Sequence, residues 1–155
     1  MKKFLLFLVL TLPLTLIECN AVSGSDKDPG VNKTPSAGVV MLTNDSFKKM
    51  IFNYDINKEW KYEGKRPAII DFYADWCPPC KQLSPIVEEI ANEYSGRIDV
   101  YKVDTDKESI LAGNLGITSL PTLLFIPAEG KPQVTMGALP KESLVQAINE
   151  VLLIK

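Results

Sequence analysis

Histidine is missing from this chain, since none of its 155 residues is a histidine. The absence excludes Ser-His-Asp and Cys-His nucleophile arrangements, metal sites with histidine ligands and histidine general bases. Any acid–base step must therefore use carboxylates, lysines, thiols or water.

An excess of charge of one sign is lacking too. The chain has 17 lysines and arginines against 19 aspartates and glutamates, a net charge of −2, and no basic stripe interleaved with aromatics. Because nucleic-acid binding depends on neutralising phosphates with such cations, we expect no nucleic-acid partner. The apolar share of 46% and the charged share of 23% are typical of a soluble globular domain.

The longest apolar run lies at the amino terminus, and residues 1–21 are predicted to be a signal sequence. Lys2 and Lys3 precede the apolar stretch 4–17, as in a secretory signal. The stretch is shorter than the roughly 20 apolar residues of a membrane-spanning helix, and Pro13 interrupts it. Both features argue against the alternative of a permanent membrane anchor. We therefore expect an exported, periplasmic protein.

Two interpretations of the processing site stay open. The run ending at Cys19 resembles a bacterial lipoprotein signal, although Glu18 is not the small residue preferred before the lipidated cysteine. Cleavage by ordinary signal peptidase near Ala21 would instead remove Cys19. Residues 22–36, rich in Ser, Gly, Asp, Lys, Pro and Asn, are predicted to be a flexible linker, because they bury too little apolar area to offset their ordering entropy.

Residues 37–155 are predicted to form one α/β domain with the order β-α-β-α-β-α-β-β-α. Alternating strands and helices imply parallel crossovers, and a final hairpin adds antiparallel strands, so we expect a mixed central sheet with helices on both faces. Strands are predicted at Val39–Leu42, Ala68–Ala74, Ile98–Val103, Thr122–Ile126 and Gln133–Met136. Helices are predicted after a cap at Thr43 or Asn44, from Pro78, around Glu108–Leu115 and near Pro140. Asn53–Arg66 is a connection of unassigned form.

Two cysteines, Cys77 and Cys80, lie where a buried strand passes into a helix. A helix start presents unpaired N–H groups and the positive end of the helix dipole, which push a thiol toward the reactive thiolate. One alternative is half of a zinc site, but structural zinc takes four ligands and this domain offers two cysteines and no histidine. A purely structural disulfide is the other alternative, and so short a loop would stabilise weakly. The pattern favours redox chemistry.

The segment Ile70-Asp71-Phe72-Tyr73-Ala74-Asp75-Trp76-Cys77-Pro78-Pro79-Cys80-Lys81 resembles the active-site segment of thioredoxins. Gly116-Ile117-Thr118-Ser119-Leu120-Pro121-Thr122 and Gly137-Ala138-Leu139 resemble their second and third loops, in the same order along the chain. The resemblance implies a thioredoxin fold over nearly all of residues 37–155. There are two departures: Pro78-Pro79 stands where the commonest form has Gly-Pro, and Asn53–Arg66 is longer than usual.

The resemblance implies a role for each reacting group. Cys77 would be the exposed attacking thiol and Cys80 the resolving thiol, and the two would form a redox-active disulfide. Asp71 would help to deprotonate Cys80. Lys102 would pair with Asp71, and an ordinary surface lysine is the alternative that the sequence alone leaves open. A lone carboxylate within an apolar strand should have a raised pKa, which suits a proton acceptor where no histidine is present.

The resemblance also implies a substrate groove. Pro121 would follow a cis peptide bond, and with Leu120 it would form one wall for an extended peptide. Trp76 would cover the edge of the disulfide, with ordinary core packing as the alternative, and Trp76 and Pro78 would both belong to the substrate-binding surface. Gly137 would let a substrate chain approach closely, although a plain turn glycine is the alternative.

The Pro-Pro dipeptide removes N–H groups near the Cys77 sulfur, and leaves the Cys80 N–H as the main donor in that turn. We expect a less stabilised thiolate than in a Gly-Pro site. Such a thiolate favours the disulfide form and makes the protein a reductant.

The predicted function is that of a reductase or interchange protein for disulfides of exported proteins. Alternatives are a dedicated thiol partner of one pathway, such as cytochrome maturation, and a peptide-binding or chaperone-like module. We expect a monomer without metal or organic cofactor, and a membrane thiol carrier as electron donor.

Overall fold

The computed structural model describes residues 38–152. The predicted signal sequence 1–21, its Cys19 and the predicted linker 22–36 lie outside these residues. Between Gly38 and Leu152, no helix has both the length and the apolar character needed to cross a membrane.

Within residues 38–152, five strands and four helices follow one another in the predicted order β-α-β-α-β-α-β-β-α. The strands are β1 (Val40–Met41), β2 (Ala68–Tyr73), β3 (Asp99–Asp104), β4 (Thr122–Ile126) and β5 (Gln133–Met136). The helices are α1 (Asn44–Met50), α2 (Pro78–Glu93), α3 (Ser109–Asn114) and α4 (Lys141–Val151). The predicted positions differ from these by a few residues at the ends, where helices fray and strand pairing stops.

The strands form one mixed sheet in the order β1-β3-β2-β4-β5. β1, β3 and β2 are parallel, whereas β4 and β5 are antiparallel to their neighbours. β2 lies in the middle, and its first five residues are buried. A strand covered on both faces reads as a continuous apolar run, which is why the run that starts at Ala68 predicted this central position.

Helices cover both faces of the sheet, because successive side chains of each strand point to opposite sides. Ile69 of β2 packs with the apolar side chains of α2 and α4 in one core. Its neighbour Ile70 packs with α1 and α3 in the other. Asp71 shares the side of Ile69, and therefore faces α2.

The connection Asn53–Arg66 contains neither helix nor strand. Phe52, Trp60 and Tyr62 form an aromatic series, with ring centroids 4.9 Å and 6.5 Å apart, that packs against the α1–α3 core. The Glu63 N–H donates to the Ile51 carbonyl at 2.9 Å and closes the loop back onto the end of α1. The connection is therefore a packed cover of that core.

Candidate active site

Cys77 and Cys80 meet at the junction of β2 and α2. Cys77 is the N-cap of α2, with an extended backbone, and Cys80 lies in the first turn. Their sulfurs are bonded at 2.08 Å, with 5.3 Å between the Cα atoms. The central strand thus delivers the first cysteine to the helix start, and the helical turn brings the second one beside it.

One backbone donor in the first turn reaches the Cys77 sulfur. The Cys80 N–H donates to Cys77 Sγ at 3.2 Å. Pro78 and Pro79 occupy the first two helical positions and have no N–H to offer. The Cys80 N–H is the donor that the Pro-Pro sequence predicted. Within the first turn of α2, the Cys77 sulfur therefore has a single amide hydrogen-bond partner.

The expectation that Cys77 is exposed is wrong for this disulfide form. Only 2% of the Cys77 surface and 3% of the Cys80 surface are exposed. The N-cap position turns the Cys77 side chain back over the helix start, and Ala74 and Leu120 pack against the sulfur pair. Pro78 and Pro79, by contrast, are exposed.

Asp71 is buried on β2, directly beside Lys102 in the parallel register with β3. The Lys102 Nζ lies 3.9 Å from Asp71 Oδ2, a distance for an ion pair but too long for a hydrogen bond. Neither carboxylate oxygen has a hydrogen-bond partner in the part of the chain that the structure describes. Burial raises the pKa of Asp71 from 3.8 to about 6, and the positive charge of Lys102 opposes that rise. Asp71 can therefore both hold and release a proton near neutral pH.

The Lys102 ammonium group has two further contacts. It donates a hydrogen bond to Ser84 Oγ of α2 at 2.5 Å. It also lies 4.5 Å from the centre of the Tyr73 ring, in a cation–π arrangement. Sequence reasoning missed Ser84, although its position four residues after Cys80 places both on one face of α2.

Trp76 is 68% exposed, so the alternative of ordinary core packing is wrong. Its indole Nε1 donates a hydrogen bond to Asp106 Oδ2 at 2.9 Å. Asp106 follows the end of β3, and its own N–H donates to Asp104 Oδ1 at 3.1 Å. Sequence reasoning missed Asp106 as well, because nothing in the local pattern distinguishes it from its acidic neighbours.

The second loop packs beside the disulfide through Leu120, and the third loop is hydrogen-bonded to the second. The Leu120–Pro121 peptide bond is cis, the geometry that the resemblance implies. The Gly137 N–H donates to the Pro121 carbonyl at 2.8 Å, which joins the two loops. Gly137 has a φ of +89°, and a Cβ built there would meet nothing within 4 Å. The positive φ therefore explains why glycine occupies this position, and a lack of space for a side chain does not.

Within residues 38–152 no group of three or more His, Cys, Asp or Glu side chains is placed to hold a metal ion. The bonded cysteine pair also leaves no thiolate for a zinc ion in this form.

The fold and this site match one family over most of the chain. The family model described as Thioredoxin matches residues 38–150. This chain belongs to the thioredoxin family. Family membership and the bonded cysteine pair together make it a thiol–disulfide oxidoreductase, as the sequence predicted.

Relatives of this thioredoxin-family protein are themselves described as thioredoxins. The thioredoxin of Borreliella burgdorferi is 50% identical over 111 residues, which cover 72% of this chain and 95% of that protein. A chloroplastic M-type thioredoxin of Spinacia oleracea is 35% identical over 136 residues, covering 85% of this chain and 74% of the relative.

Solved structures of thioredoxins match as well. Chloroplastic thioredoxin z matches with a TM-score of 0.63 and 28% identity over 74% of this chain and 94% of that one. The thioredoxin of Malassezia sympodialis matches with a TM-score of 0.60 and 30% identity over 76% of this chain and 93% of that one.

Proposed function

We propose that this thioredoxin-family protein reduces or exchanges the disulfides of exported proteins. The observation that supports the reducing direction is that the first turn of α2 offers the Cys77 sulfur one amide donor, the Cys80 N–H. With few donors the Cys77 thiolate is stabilised weakly. The Cys77–Cys80 disulfide is then favoured over the reduced form, so the protein tends to give its electrons to a substrate. The exported location rests on the predicted signal sequence in residues 1–21.

The proposed reaction moves two electrons from the protein dithiol to a substrate disulfide. The Cys77 thiolate attacks one substrate sulfur, forms a mixed disulfide and releases the other substrate sulfur as a thiolate. Cys80 then gives its proton to Asp71 and attacks Cys77 Sγ. This second exchange releases the remaining substrate thiolate and leaves the Cys77–Cys80 disulfide.

Because the disulfide is buried, we expect a substrate to reach the Cys77 sulfur over a small area of the protein surface. Leu120 packs beside the sulfur pair, and the loop containing Gly137 is joined to Pro121. An extended substrate segment lying on this wall, with Trp76 and Pro78 at its edge, would bring a disulfide to the Cys77 sulfur.

Recharging must supply two electrons and two protons to the oxidised pair. An exported protein has no cytosolic nicotinamide-dependent reductase beside it, and we propose a membrane thiol carrier as the donor. No organic cofactor or metal is required for either exchange, since the thiols carry the electrons. The protein is proposed to act as a monomer.

The test combines trapping with a potential measurement. A reduced Cys80→Ser variant should accumulate a mixed disulfide between Cys77 and a purified disulfide-bearing exported protein, because the resolving thiol is missing. A Cys77→Ser variant is the control and should trap nothing. A pure peptide binder would give no covalent adduct with either variant.

The potential of the wild-type pair, measured by equilibration with glutathione, should lie below about −200 mV, in the reducing part of the range for this chemistry. A value near the about −120 mV typical of strong oxidases would contradict the reducing direction.

A further inference from the structure

The side chains around Asp71 include one polar group that the reaction above does not use. Ser84 lies in α2 and accepts a hydrogen bond from Lys102 Nζ at 2.5 Å. The same ammonium group remains 3.9 Å from Asp71 Oδ2. The Lys102 ammonium group is thus hydrogen-bonded to the Ser84 hydroxyl, whereas it only lies near the Asp71 carboxylate.

We propose that Ser84 is a positioning residue for the proton transfer, and that its hydroxyl holds the Lys102 ammonium away from the Asp71 carboxylate. The proposal rests on the role of Asp71 as the proton acceptor in the proposed function, and it names Ser84 as the residue that adjusts the proton affinity of Asp71.

The geometry explains why the position of this ammonium matters. Both charged side chains are enclosed, with 12% of the Lys102 side chain and 1% of the Asp71 side chain exposed. Charges act strongly on each other where little water screens them. An ammonium bonded directly to the carboxylate would favour the ionised form and make Asp71 a weak proton acceptor.

Two contacts hold the ammonium where it is. Ser84 Oγ accepts one of its hydrogens, and the face of the Tyr73 ring lies 4.5 Å away on another side. Since Ser84 follows Cys80 by one helical turn, the same helix carries both the thiol to be deprotonated and the hydroxyl that holds the lysine.

The groups facing Asp71 from each neighbouring element are few. β3 contributes Lys102 and β4 contributes the apolar Leu123, whereas α2 carries Ser84 and the cysteine pair, which is bonded as a disulfide and does not titrate in this form. On β2 itself Tyr73 points to the same side, and burial raises the pKa of its phenol, so it stays neutral near pH 7. Lys102 is therefore the charge whose displacement would change the proton affinity of Asp71.

The test measures the titration of Asp71 without using activity. The purified oxidised protein is labelled with ¹³C at aspartate carboxyl carbons and titrated by NMR, and an Asp71→Asn variant identifies the resonance. In Ser84→Ala the ammonium loses its acceptor and can close on the carboxylate. We expect the pKa of Asp71 to fall by at least about half a unit. Ser84→Thr keeps the hydroxyl and should leave this pKa near the wild-type value.

A second variant asks whether the effect passes through the lysine. In a Lys102→Met background, replacing Ser84 by Ala should no longer change the pKa of Asp71. An unchanged or raised pKa in Ser84→Ala would overturn the proposal. It would also be overturned by an equal fall in Ser84→Thr, or by a fall that persists without Lys102.

The pH profile of disulfide reduction gives a kinetic readout of the same role. In Ser84→Ala the acid limb should move to lower pH, because Asp71 stays ionised there, and the plateau rate should fall because the carboxylate is a weaker acceptor. Trapping by Cys80→Ser is independent of this titration, so failure of the Ser84 proposal and failure of the reductase proposal give different results.

Discussion

Trp76 Nε1 donates a hydrogen bond to Asp106 Oδ2 at 2.9 Å, across 30 residues of sequence. The bond ties the residue before the first cysteine to the loop that follows β3. Because Trp76 is 68% exposed, this hydrogen bond does more than core packing to orient its ring.

Removal of this contact should loosen the indole with little change in stability. In Asp106→Ala the free energy of unfolding should fall by less than about 1 kcal/mol, because the hydrogen bond is exposed to water. The fluorescence anisotropy of Trp76, measured in a Trp60→Phe background, should decrease. Asp106→Asn keeps an acceptor oxygen and is the matched control. Equal anisotropy in all three proteins would show that the bond does not orient the ring.

Asp71 should destabilise the folded protein once it is ionised. Its folded-state pKa of about 6 lies above the ordinary value of 3.8. The folded chain therefore binds this proton more tightly than the unfolded chain, and the contribution to stability is full below about pH 3.8 and lost as the pH rises through about 6. At about 1.4 kcal/mol per pKa unit the loss amounts to about 3 kcal/mol.

Asp71→Asn should accordingly raise the free energy of unfolding of the oxidised protein by up to about 3 kcal/mol at about pH 8. The gain should be much smaller at about pH 4, where wild-type Asp71 is largely protonated. Denaturant unfolding of both proteins at the two pH values measures it. The same gain at both values would contradict the raised pKa as its cause.

The dipeptide prediction can be tested one proline at a time, since each proline removes its own N–H from the first turn of α2. Pro78 and Pro79 are the first and second helical positions, and an N-cap side chain accepts from the N–H of the second or third. Pro79→Ala should thus return a donor to the Cys77 thiolate and make the redox potential less negative. One hydrogen bond of about 0.5–1.5 kcal/mol corresponds to roughly 10–30 mV.

Pro78→Ala is the matched control for that measurement, since its restored N–H lies at the first helical position and should have the smaller effect. A more negative potential in Pro79→Ala would show that missing N–H groups are not what makes the pair reducing.

Cys77 should react as a thiolate after reduction. In a reduced Cys80→Ser variant, iodoacetamide should label Cys77 at about pH 7 several-fold faster than it labels cysteine itself, whose thiol has a pKa of about 8.5. The physical reason is the helix dipole and the Cys80-position N–H directed at the sulfur. The rate is followed by mass spectrometry. Labelling no faster than that of the amino acid would contradict the activated thiol.

The mass of the exported protein should decide the processing of residues 1–21. A lipoprotein would begin at Cys19 and carry the added mass of its acyl chains, whereas signal-peptidase cleavage near Ala21 would leave an unmodified chain without Cys19. Intact mass spectrometry after expression in a bacterial host distinguishes the two. A chain that still begins at Met1 would contradict the signal sequence.

The elements of this fold were predictable because their signals are local. The apolar run starting at Ala68 predicts a strand buried on both faces, and that strand is the centre of the sheet. The turn residues Pro127–Pro132 predict the hairpin between β4 and β5. The connection Asn53–Arg66 carries no such periodic pattern. Its conformation depends on aromatic rings that pack against a core formed by other segments of the chain.

The cysteine pair and its chemistry follow from the order of residues along the chain, since a strand, a CxxC turn and a helix are neighbours in sequence. The contacts that adjust the chemistry join residues far apart. Lys102 meets Ser84 across 18 residues, Trp76 meets Asp106 across 30, and Leu120 closes over Cys77 and Cys80. Such contacts depend on how strands and helices pack, and periodicity and propensity do not specify which side chains then touch. For that reason the sequence identified the reacting sulfurs, whereas the tertiary structure decided how deeply they are buried and what holds their proton acceptor.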